Sequence, residues 1–242
     1  MGTINAVAEG RTTGATTSRP ARVLRGETIN HYLETVYYIA YEEDRVRPSR
    51  IAEWMGVSAP TVSATLASLH ASGWVAIAAD RSVTLTEKGR RTAEMIVRSH
   101  RLLERWLTDK LRLDWAEADR EAQNLAPVVS DELADRLDDH LGHPSTCPHG
   151  NVIPGRDAPY GTLIALADLE PGRWARIRRI SEVAEHDAPE LLSFLHQQEL
   201  FIGTRVRVEG SSETSGAVSV RAGRRSVALG TGTARSIWVE PG

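Results

Sequence analysis

The chain has 242 residues, 41% hydrophobic and 25% charged, with a net charge of −3, a balance that excludes wholesale disorder and supports one large domain or two modest ones. Cys147 is the only cysteine, which excludes an intrachain disulfide framework. No apolar run reaches the roughly 18 residues of a membrane span, and residues 1–26 lack a signal-peptide core, so the expectation is a cytoplasmic protein with no membrane partner.

Residues 1–26, rich in Gly, Thr, Ala and Arg and without a period, read as a flexible tail. From Thr28 the apolar residues Ile29, Leu33, Val36, Tyr37 and Ala40 fall at helical steps. A short helix from Pro48 to Met55, a Gly56-Val57-Ser58 turn and a second helix from about Ala59 to Ala71 follow, with Ser58 as N-cap and Pro60 in the first turn. The stretch "WVAIAADRSVTLTEKG" alternates around Asp80-Arg81-Ser82 and predicts a β-hairpin. Helices are expected over about Thr86–Leu111, Trp115–Leu125 and Ser130–Leu141, and the Gly and Pro residues of 142–160 predict a connector. After Gly161 short alternating strands with one helical insert predict a small barrel.

Two short helices, a turn and a hairpin make a winged helix-turn-helix, whose second helix would enter the major groove of DNA. Residues 45–91 carry seven Lys/Arg against three acids, whereas residues 104–142 carry eleven acids against five bases. The basic segment suits an anionic partner. Candidate DNA contacts are Arg47, Arg50, Ser58, Pro60, Thr61, Ser63, Ala64 and the wing-tip Arg81, with a further hydroxyl from Thr65.

The stretch "HLGHPSTCPHG" (140–150) gathers His140, His143, Cys147 and His149, all metal-binding residue types. By itself it would fit a zinc-dependent enzyme or metal carrier, although no acid stands at recognisable general-base spacing. His100 and Glu104, four apart on the long helix, project from one face toward a common point.

The segments "RIAEWMGVSAPTVSATLASLHASGWVAIAADRSVTLTEKGR", "RSHRLLERWLTDKL", "VVSDELADRL" and "CPHGNVIPG", in this order and spacing, resemble the diphtheria toxin repressor and iron-dependent regulator family. The resemblance runs from about Thr28 to the C-terminus. It implies an α+β, mainly α fold: a flexible tail (1–26), a winged-helix DNA-binding domain (27–92), a helical dimerisation and metal-binding domain (93–142), a linker (143–160) and an SH3-like (FeoA-like) barrel (161–242). The implied function is that of a homodimeric regulator, not an enzyme, acting as a repressor on a palindromic double-stranded operator in response to Mn(II) or Fe(II).

The resemblance maps an ancillary metal site onto His100, Glu104, Asp119, Glu182 and Glu185. The family's primary site falls on His31, Gln123, Ala126 and Pro127, where Ala and Pro offer no side-chain donor and only His31 and Gln123 could add ligands. The same DNA-binding regulator without metal control is therefore the alternative. Ala64 stands where the family often has Gln, so base reading would lean on the neighbouring hydroxyls and on DNA shape. The resemblance also places "CPHGNVIPG" at a helix-to-linker joint, which makes the histidine- and cysteine-rich stretch a connector, while the donor-free Ala126 and Pro127 leave open a displaced site that recruits His140 or Cys147.

Overall fold

The computed structural model describes residues 26–43, 45–212, 214 and 216–242, so the expected tail falls outside the described residues except for Gly26. Helix α1 (Gly26–Glu42) turns Leu33, Val36 and Ile39 inward. Helix α2 (Pro48–Met55) starts on a proline, whose missing N–H is not needed there, and stops at Gly56, where φ is +61°. In α3 (Ala59–Ala71) Ser58 caps the N-terminus, accepting from Thr61 N at 3.4 Å. Strands β1 (Val75–Ile77) and β2 (Val83–Leu85) pair antiparallel as the wing. Ile51, Val62 and Leu69, all 0% exposed, join the α1 face to make this unit's own core, and each such side chain contributes about 1.5–3 kcal/mol of burial.

Helix α4 (Glu87–Leu111) spans 25 residues and carries the chain out of the winged unit. Gly89 lets its first turn press on the wing, because a Cβ there would sit 2.1 Å from Trp74 O. Helix α5 (Trp115–Leu125) opens with a capping box between Asp114 and Glu117. Helix α6 (Asp131–Leu141) opens on Ser130 and ends at Gly142. Both pack on α4. Trp115, at the start of α5, is 4% exposed and belongs to the core of the C-terminal domain, tying the helices to the sheet.

That sheet is antiparallel throughout. Its strands are β3 (Ile164–Ala165), β4 (Trp174–Ile180), β5 (Arg205–Ser212), β6 (Ala217–Ala222), β7 (Arg225–Gly230) and β8 (Ile237–Pro241), in the order β3-β8-β4-β5-β6-β7. Among the described residues β7 and β3 do not pair, so the expected barrel is not closed by hydrogen bonds. Instead α9 (Thr231–Ser236) packs against β3, β6, β7 and β8. The helical insert is double: α7 (Glu182–Asp187) and α8 (Glu190–Gln197).

The connector is no free tether. Cys147 N donates to Asn151 O (2.9 Å), Ile153 N to Ser145 O (2.9 Å), and Ile180 N of β4 to His149 O (2.8 Å). Gly150, with φ +86°, lies so close to β4 that a Cβ would meet Arg178 O at 2.0 Å. The turn is thereby pressed against both the sheet and the helices.

Candidate metal centre and DNA-reading face

On the winged unit, Ser58, Pro60, Thr61, Ser63 and Ala64 are exposed along one side of α3, and Arg47 and Arg81 are exposed beside them. Arg81 sits at the wing tip with φ +65°, in a turn held by Asp80, whose Oδ1 accepts from Ser82 N (3.0 Å) and Oγ (2.7 Å). Two expectations need correction. Thr65 is 3% exposed and faces the core, so its hydroxyl is not offered to DNA. Arg50 is committed to carboxylates instead of phosphate: Nε to Glu43 at 2.9 Å and Nη2 to Asp187 at 2.8 Å, with its side chain 17% exposed.

The expected metal ligands converge at the joint between helices and sheet. His100 Nε2 lies 3.5 Å from Glu104 Oε1 and 3.4 Å from Asp119 Oδ1. Glu185, on α7, faces the same place. Glu182 lines the cavity too, but its Oε1 accepts from Arg101 Nε at 3.1 Å and from Nη2 as well, so Arg101 already neutralises it. His31 and Gln123 line the same cavity of about 250 Å³. His31 is exposed and falls in neither cluster of convergent donors. Ala126 and Pro127 stand in a single 3-10 turn after α5 and bring no donor.

The histidine- and cysteine-rich stretch divides in two. His140 and His143 are exposed, so the four residues do not form one centre. Cys147 and His149 are buried, and their donor atoms turn toward Glu104 behind the cavity. His149 Nδ1 is 3.1 Å from Glu104 Oε1 and 3.6 Å from Glu185 Oε2, close approaches without hydrogen-bond geometry. Donor atoms of Glu104, Cys147 and His149 lie within 4.8 Å of one another, as do those of His100, Glu104 and Asp119. Glu104 belongs to both groups.

Sequence reasoning also missed Glu34, 5% exposed on α1, which accepts from Tyr38 OH at 3.3 Å and lines the cavity. A carboxylate between Leu33 and Val36, on the inward side of a helix, was the signal. For Cys147 and His149 the signal was their presence together, but only the fold could say which of the four neighbours turned inward.

The electrostatics describe a pocket awaiting positive charge. Burial opposes the imidazolium of His100, yet Glu104 and Asp119 outweigh it and raise its pKa well above the ordinary value. Burial would raise Glu104, but His149 and His100 more than reverse that and lower it. Burial and then the Glu182 and Glu104 charges push Glu185 well up, and burial and then Glu104 do the same to the Cys147 thiol. His100 Nδ1, both ring nitrogens of His149 and Glu185 Oε1 are buried with no hydrogen-bond partner among the described residues. Unsatisfied buried donors and acceptors are costly, and a divalent cation would give one His149 nitrogen and a Glu185 oxygen a partner together. The donor set of imidazole, carboxylate and one thiolate fits a borderline transition metal.

Comparison with known proteins agrees with this anatomy. Residues 26–83 match the model for the iron-dependent repressor N-terminal DNA-binding domain. Residues 86–155 match that for the iron-dependent repressor metal-binding and dimerisation domain, and 164–241 that for the FeoA domain. The iron-dependent repressor IdeR of Mycobacterium tuberculosis (strain ATCC 25618 / H37Rv) is 34% identical over 227 residues, covering 88% of this chain and 97% of that one. The diphtheria toxin repressor of Corynebacterium diphtheriae is 36% identical over 193 residues, 75% of this chain and 84% of that one. The solved structure of a manganese-dependent transcriptional repressor in complex with manganese has a TM-score of 0.78 at 34% identity, covering 88% of this chain and 99% of its own.

Proposed function

The chain belongs to the iron-dependent repressor family, a family of metal-dependent DNA-binding transcriptional regulators and not of enzymes, and on that premise we propose that it is a homodimeric, cytoplasmic repressor of a palindromic operator, controlled by a divalent transition metal held in the buried pocket between its helical and C-terminal domains. One observation carries the reading: two convergent donor groups share Glu104 and, among the described residues, keep three buried ring nitrogens without a hydrogen-bond partner.

His100, Glu104, Asp119, Cys147, His149 and Glu185 would hold the ion. A bound Mn(II) or Fe(II) supplies a double positive charge that offsets the crowded carboxylates. His100, Cys147 and Glu185 give up their protons on ligation, so affinity depends on pH. Glu182 stays with Arg101 and keeps α7 at the pocket wall. On the DNA side, Thr61, Ser63 and Ala64 face the groove, while Arg47 and Arg81 reach phosphates. Leu125, Val128 and Leu133, exposed at 41%, 80% and 47%, offer an apolar face for the second copy. Two-fold pairing of the readers requires a palindromic target. No helix among the described residues is long and apolar enough to cross a membrane.

The test is operator binding titrated with Mn(II), Fe(II) under anaerobic conditions, and chelator. Affinity should rise with metal by about tenfold or more. Equal affinity with chelator would favour a second reading, a metal-independent regulator, which the donor-free Ala126 and Pro127 support. Metal stoichiometry on Cys147→Ser and His149→Ala then checks the pocket itself.

A further inference from the structure

Helix α7 is six residues long and faces two ways. Glu182 and Glu185 close the metal pocket. The next two residues meet the winged unit: the His186 ring lies on Trp54 of α2, centroids 3.8 Å apart and planes 1° from parallel, and Asp187 Oδ2 accepts from Arg50 Nη2 at 2.8 Å. On its other side Trp54 has Tyr38 of α1 with ring centroids 6.2 Å apart. The start of α7 is fastened to the end of α1, where Glu42 Oε1 accepts from Glu182 N at 3.0 Å and its two oxygens also take Arg179 Nη1 and Ser181 Oγ. Every bond that joins α7 to the DNA-reading unit thus stands within five residues of a pocket carboxylate.

We propose that α7 is a clasp through which the metal pocket sets the pose of the helix-turn-helix, with Trp54 and Arg50 acting as positioning residues for operator binding. It rests on the metal-controlled reading above. With no cation present, Glu185 has only a 3.6 Å approach to His149, and its buried Oε1 has no hydrogen-bond partner among the described residues, so the pocket side of α7 is loosely fixed. A cation that takes a Glu185 oxygen fixes that side, and His186 and Asp187 are held onto α2. Helices α2 and α3 are then held at one angle to α4, the condition for two α3 helices in a dimer to meet successive major grooves. Asp187 also explains why an arginine in the basic segment faces away from DNA: Arg50 serves the joint and not the phosphates.

The test uses the full chain and four forms: wild type, Asp187→Asn, Trp54→Ala/Asp187→Asn, and Trp54→Phe. Operator affinity is measured by fluorescence anisotropy with and without Mn(II), Mn(II) affinity by calorimetry without DNA, and α7 amide exchange by mass spectrometry. The double variant should lose about tenfold of the metal-induced gain in operator affinity, with Mn(II) stoichiometry and metal-free operator affinity unchanged. Trp54→Phe, which keeps a ring to stack, should retain the gain. Asp187→Asn, a change at a half-exposed side chain, should lose about threefold and covers the case in which the double variant folds poorly. Amides of residues 182–187 should slow on Mn(II) addition in wild type and less so in the double variant. A full metal-induced gain in both Asp187→Asn and the double variant overturns the clasp alone. Equal losses with and without metal overturn it too, as a mere folding defect. Absence of any gain in wild type overturns metal control itself, and the clasp with it.

Discussion

The DNA-reading face and the metal pocket are built on opposite plans. The proposed reader takes its candidate DNA contacts from one stretch, Ser58 to Ala64, plus a wing tip 17 residues further on, and displays them on an exposed surface above a core of its own. The pocket draws on α1, α4, α5, the connector turn and α7, and hides its donors at 5% exposure or less for His100, Glu104, Cys147 and His149. A surface of the first kind loses one contact at a time. A cage of the second kind fails whenever any of its five segments moves.

Glu104→Gln breaks the contrast hardest. Glu104 sits in both donor groups, so metal affinity measured by calorimetry should fall by about 100-fold or more, while binding to non-specific DNA stays as in wild type. Gly150→Ala attacks the cage without touching a ligand. With φ at +86° and Arg178 O only 2.0 Å from the new Cβ, urea unfolding should show a loss of about 2–3 kcal/mol, and bound metal should be lost in parallel.

A pH series sharpens the comparison. His100 has a raised pKa in the metal-free fold, so its contribution to apo stability is present in full below the ordinary histidine value and is lost as pH rises through the folded value. Ligation needs the proton gone, so Mn(II) affinity must climb over the same window in which the metal-free protein weakens. Calorimetry and thermal melts at pH 6, 7 and 8 check both slopes. On the surface side, Arg81→Ala should lower the salt slope of operator binding by about one and weaken all sequences alike. Mildest of all, Ser58→Ala removes the α3 cap and should cost about 1 kcal/mol in a urea melt.

The same contrast decides what was legible in the sequence. Helix starts at Ser58, Thr86, Asp114 and Ser130 are local chemistry, and the caps form as the residue types foretell. His100 and Glu104 were legible because i,i+4 spacing on a helix fixes their common face. Arg50 misled because nothing local announces Asp187, 137 residues away. The inward turn of Cys147 and His149 was not legible for the same reason. Their Gly and Pro neighbours do stop a helix, but whether the turn buries those two side chains depends on the backbone of β4. Glu182 lies at the cavity as the resemblance implied, but its pairing with Arg101, a fully buried cation, was not legible.

The burial of Cys147, His149 and Glu104, at 1%, 0% and 2% exposure, also bears on time. An ion held by those donors on the buried side of the cavity is gripped by the connector turn and by α4, and the grip loosens when the turn lifts from β4. Its lifetime on the protein is then the waiting time for a local opening, not for the breaking of a metal–ligand bond. On the proposed function, a repressor so built would average metal supply over that interval, so that a brief dip passes unread and a sustained shortage releases the operator.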